Sequence, residues 1–140
     1  MNTTNALAGA QADEITAAID SGAGAGLLKI YDENGAGVPS SVETAITTQT
    51  LLVTITLNDP SFAGFVDGGG TADIVLDNTP IPEANAVASA GATPTLFGRF
   101  EDSNNNEHVQ MTESELGLNS DAIASGAAVQ VASGTISIPE

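Results

Sequence analysis

The side chains best spaced for chemistry lie between Asp102 and Glu113. Asp102, Asn104 and Asn106 put oxygen donors at the first, third and fifth positions of a window whose twelfth position is Glu113, which is the spacing of a calcium loop. His108 and Gln110 fall at the seventh and ninth positions. The sharp turn of such a loop needs glycine at its sixth position, where this chain has Glu107, and the flanks alternate like strands instead of helices. Asp102, Asn104, Asn106 and Glu113 therefore form the candidate metal set, loosely matched, and no resident metal or cofactor is expected.

His108 is the single histidine, and no G-x-S-x-G elbow accompanies it to present a nucleophile. The carboxylate pairs Glu101–Asp102 and Glu113–Glu115 are close in sequence. A hydrolytic pair needs one carboxyl in an apolar pocket and the other opposed across a cleft, and neither pair has residues to build that pocket. Gly22, Gly24 and Gly26 brush against a phosphate-binding glycine loop. Such loops follow a strand and open a helix, whereas these glycines follow a helical stretch and open a strand, so they are expected to be a flexible linker. No catalytic residue is expected, and the chain is read as non-enzymatic.

Charge narrows the partners. Eighteen acidic residues face only Lys29 and Arg99, a formal net charge of −16. Nucleic-acid backbones are bound through Lys and Arg, and anionic lipid surfaces attract the same side chains, so neither partner is expected. Self-repulsion on this scale favours solubility and suits a saline setting, where salt screens it. No apolar run reaches the roughly 20 residues of a membrane span. The N-terminal residues lack the basic start and apolar stretch of a secretory signal, so use without export is expected. Without cysteine the chain has no disulfide or thiolate staple.

The elements that must position these groups read mainly as strands. Residues 1–22 are rich in alanine, with Leu7, Ile15, Ala18 and Ile19 near one face and Gly22 placed as a stop, which predicts a short helix beginning between Thr4 and Ala12. Leu27–Asp32 alternates as a strand and 37–50 reads as a loop. Leu51–Leu57 sets Leu51, Val53, Ile55 and Leu57 on an apolar face against Leu52, Thr54 and Thr56. Phe62 and Phe65 are expected to plug the core edge, Ala72–Asp77 to be a strand, and 78–94, with Pro80, Pro82 and Pro94, an exposed crossing loop. Thr95–Glu101 and His108–Thr112 flank a hairpin turn, and 127–138 predicts two strands around a Ser133–Gly134 kink. About seven short strands with such spacing predict one domain, 1–140: a helix and glycine connector over 1–26, then an antiparallel β-sandwich or jelly-roll-like barrel over 27–140. Aromatic residues are few and alanine fills much of the apolar share, so a thin core is expected to be supplemented by oligomerisation.

The order of these segments resembles a family. Leu28-Lys29-Ile30-Tyr31 matches a G-x-L-K-I-Y start, and Leu51 to Leu57 followed by Asp59-Pro60-Ser61-Phe62 matches a G-T-L-L-A-x-L-x-L-x-D-P-A-F-G centre. Ile123 to Gly126 with Val129 to Pro139 matches the closing I-A-A-G and V-x-V-x-S pattern. Thr95 to Ser103 matches an F-R-x-x-D-S-x-G hairpin, departing from it at Gly98 and in its asparagines. The chain thereby resembles small structural proteins of tailed bacteriophages. The resemblance implies a head decoration (cement) protein on the outer capsid surface of the virion, bound to the major capsid protein and self-associated as a homo-oligomer, with a trimer the usual arrangement. A tail or neck component is the alternative, and a carbohydrate-binding or adhesion module a more distant one. The segments expected to make the contacts are Met1 to Gly26 and Asn78 to Pro94, and removing the first is expected to leave the sandwich folded.

Overall fold

The computed structural model describes residues 4–139, so Met1 to Thr3 of the expected contact segment lie outside the described residues. Thr4 caps helix α1 (Asn5–Ile19), its Oγ1 accepting from the Leu7 amide at 3.3 Å. The helix ends at Ile19, three residues before Gly22, and its C-cap Asp20 accepts through its carboxylate from the Ser61 amide at 2.9 Å. The buried stripe is rotated from the expected one. Ala8, Ala12 and Ile19 are buried, while Leu7 is 50% exposed. Small residues win this face because the helix lies close against a sheet. At Gly9 a Cβ would come 2.9 Å from Phe65 Cζ, so a larger residue there would push the aromatic ring away.

Among the described residues nine strands follow: β1 (Leu27–Asp32), β2 (Thr50–Thr56), β3 (Phe62–Asp67), β4 (Thr71–Leu76), β5 (Glu83–Asn85), β6 (Leu96–Glu101), β7 (Glu107–Thr112), β8 (Leu116–Leu118) and β9 (Ala128–Pro139). The protein is mainly β, with two antiparallel sheets and one N-terminal helix, as the alternation predicts. One sheet runs β2–β1–β6–β7, and the other runs β3–β4–β9–β5 with β8 also paired to β9. Leu28, Ile30, Ile55 and Phe100 of the first sheet share a core with Ile74, Leu76 and Val131 of the second, and Ile19 of α1 belongs to the same cluster. Each such side chain contributes about 1.5–3 kcal/mol by leaving water.

Four expectations change. Leu52, placed on the polar face by simple alternation, is fully buried, because the chain after β5 pairs onto β2 there, with the Val87 amide donating to Leu52 O at 2.7 Å. Phe62 and Phe65 lie on a true strand, and only Phe62 is buried; Phe65 stays 43% exposed at the sheet edge. The 78–94 crossing carries β5 and buries Pro82 and Ala86. The expected kink at Ser133–Gly134 is one continuous strand. Gly134 is buried, and β9 runs through it unbroken because β8 pairs with it there, Leu116 opposite Gly134 and Gly117 opposite Ser133, while β4 takes over at Thr135.

Nor are the glycines after α1 a free linker. Gly22 has φ +104° and packs against Ser103 Oγ, and Gly26 fits beside Ile19 and Ser61 with no room for a Cβ. Both are places where only glycine joins the helix to the sheet without displacing a neighbour. Among the described residues no helix is long and apolar enough to cross a membrane.

Candidate interaction surfaces

The β6–β7 hairpin brings Asp102, Asn104 and Asn106 together, but as a closed turn. Asp102 Oδ1 accepts from the amides of Asn104 (2.8 Å) and Asn106 (2.9 Å), and Oδ2 accepts from Asn106 Nδ2 (2.8 Å) and Ser21 Oγ (3.1 Å). These donors, the Asn106 side chain foremost, hold the Asp102 carboxyl well below the usual carboxylate range. His108 Nε2 stands 3.5 Å from Asp102 Oδ2 without hydrogen-bond alignment. Glu113 lies beyond the far end of β7, about 20 Å of strand away from the turn. The structure therefore does not bring Glu113 to the other three candidates. Among the described residues no set of three or more His, Asp or Glu side chains converges as metal ligands would.

The paired carboxylates separate in the same way. Glu101 faces Lys29 Nζ at 2.7 Å, a close ion pair outside hydrogen-bond alignment, while its neighbour Asp102 closes the turn. Glu115 Oε2 accepts from Thr112 N (2.7 Å) and Oγ1 (2.8 Å), capping the short 3-10 turn Glu113–Glu115, and Glu113 takes no part in it.

The main polar assembly centres on Arg99, whose sequence position marks it only as one of two basic side chains. In β6 the alternation puts Leu96, Gly98 and Phe100 towards the other sheet and Phe97, Arg99 and Glu101 outwards, yet every residue of β6 is buried. The cover is the 33–49 segment. Arg99, with no exposed surface, pairs through Nη1 with Glu107 Oε2 at 2.6 Å and donates from Nε to Gln110 Oε1 at 3.1 Å. Its Nη2 donates to the carbonyls of Ser41 (3.2 Å) and Thr44 (2.6 Å). Gln110 Nε2 donates to Pro39 O at 2.7 Å, and Gln49 Nε2 to Gly37 O at 2.9 Å. A planar fork of donors can serve a carboxylate and two carbonyls together, which a lysine could not. Tyr31 stacks on Phe97 beside this network, ring centroids 5.3 Å apart. Burial, and then the negative charges of Glu101 and Glu107, push the Tyr31 hydroxyl up to about 12. The available signal was Arg99 standing in an otherwise aromatic and apolar strand.

Among the described residues, grooves open in two places, the first of them beside the clasped loop. One, about 600 Å3, runs between the clasped loop and the segment after β7, lined by Val38, Leu96, Leu116 and Leu118 with Thr95, Thr112, Glu113, Ser114 and Asp121. The other, about 550 Å3, is nearly all apolar and lies where Leu7, Ala10 and Ile15 of α1 meet Ile138 of β9. Elsewhere Val66 and Val87 are exposed at 59% and 69%, the first on the edge strand β3.

Comparison with known proteins finds no matching family model, no similar curated protein and no similar solved structure.

Proposed function

We propose that the chain is a structural subunit of a tailed-phage particle, a decoration (cement) protein that binds the major capsid protein on the outer head surface, stabilises the shell, and self-associates, in the usual arrangement as a trimer. The observation that carries this reading is where the organised charge is used. Arg99 and Asp102, the best-bonded ionisable groups of the described residues, tie loops to the sheets instead of lining a cleft. A long loop held this way is a rigid surface, as an assembly subunit needs, since ordering a loose loop on binding costs affinity. The motif resemblance over most of the chain supports the virion setting. The exposed Phe65, Val66 and Val87 supply apolar contact area, which a protein–protein interface uses at its centre. Sugar binding draws less support, because the one tyrosine is buried against Phe97 and the chain has no tryptophan.

The test is cosedimentation of the purified chain with undecorated particles. Saturable binding at a fixed ratio to the shell subunit is expected, together with a raised temperature of particle disruption. Particles that sediment without the chain at saturating concentration would refute the assignment.

A further inference from the structure

We propose that the groove between the clasped loop and the 113–121 segment is a docking slot for an extended, basic segment of a partner protein, one that sets a lysine or arginine beside an aliphatic side chain. This deepens, and rests on, the reading of the chain as an assembling subunit. The slot has two chemistries in one place. Leu96, Leu116 and Leu118 provide its apolar lining, while Glu113 and Asp121 also line it. Among the described residues no hydrogen bond or ion pair reaches either carboxylate, although the neighbouring Glu115 is engaged in its cap through Oε2. A lysine or arginine lays its aliphatic stem on apolar surface and keeps its charged head at the edge, which is the complement of this arrangement.

The walls are held in advance. Val38 is fixed from both sides, by Gln49 donating to Gly37 O and Gln110 donating to Pro39 O. The opposite wall is fixed by the Thr112–Glu115 cap. Little ordering is left for the moment of binding.

Charge selects the occupant. A second copy cannot supply the cation, because Arg99 is wholly buried against Glu107 and Lys29 is paired with Glu101. A chain of net charge −16 attracts a basic segment from a distance and repels its own kind. The cation must come from a different protein.

The probe is an acetylated, amidated pentapeptide of alternating lysine and leucine, titrated into the isotope-labelled full chain at about 0.15 M salt, where charges more than about 8 Å apart are screened. Saturable binding is expected, with shifts concentrated at Val38, Leu96, Leu116 and Leu118. Glu113→Gln combined with Asp121→Asn should weaken it about five-fold or more, and the charge-matched control Glu43→Gln with Asp59→Asn less than about two-fold. Shifts spread over the whole acidic surface, equal weakening in both variants, or no saturation would overturn the slot. On particles, the double groove variant should lose cosedimentation. If it bound as well as the unaltered chain, the particle role would stand and the slot would not. If neither chain bound while the peptide still saturated, the slot would stand and the particle role would not.

Discussion

Tyr31 is the only tyrosine and the chain has no tryptophan, so its ionisation can be followed by ultraviolet absorbance without interference. Buried against Phe97 and facing Glu101 and Glu107, it should titrate near 12 in the folded protein, against about 10 in the unfolded chain. Below about pH 10 both states keep the proton and stability is unaffected; above it the unfolded chain loses the proton first, so stability falls progressively up to about pH 12. A spectrophotometric titration with its midpoint near 10 would mean that the 33–49 cover is open. Arg99 is the second residue to test. Arg99→Met removes the donors of Ser41 O and Thr44 O and leaves Glu107 without its cation, and about 3 kcal/mol of stability should go with them. Chemical denaturation measures that loss, and a glutamate-specific protease should then cut at Glu43, inside the released loop.

At the scale of elements, the helix is where the structure departs furthest from what the residues alone suggest. The expected removable anchor is part of the core. Ile19 has no exposed surface, Ala12 packs with it, and Asp20 holds the start of β3. Ile19→Ala should cost about 3 kcal/mol, and removing residues 1–20 should abolish a cooperative melt followed by circular dichroism instead of leaving an intact sandwich. β1, β2, β6 and β7 were legible because their apolar residues alternate between turn residues. What was hidden depends on long-range contact. Leu52 is covered by a segment that pairs 35 positions further along, at Val87, and β9 continues through Gly134 where β8 pairs with it, Leu116 opposite Gly134. The same holds for the site. Asp102, Asn104 and Asn106 were legible as a cluster, but that the turn's own donors, joined by Ser21 from 81 positions away, use up the Asp102 carboxylate follows only from the folded turn. The Arg99 clasp joins partners 55 and 58 positions apart, beyond any local motif.

The whole molecule is a strongly acidic body whose two basic side chains, Lys29 and Arg99, are both spent internally. Copies of it repel one another at low salt, so any homo-oligomer should strengthen as salt rises from about 0.05 to about 1 M and the Debye length shrinks to about 3 Å. Sedimentation velocity across that range checks this; association that weakened with salt would contradict it. The most direct measurement of the particle role is the copy number of this chain in purified phage particles, counted by quantitative mass spectrometry against the major shell subunit. A head decoration protein should be present in fixed proportion to that subunit, in numbers comparable to it. A handful of copies would place the chain at the neck or tail, and its absence from washed particles would contradict a structural role in the virion.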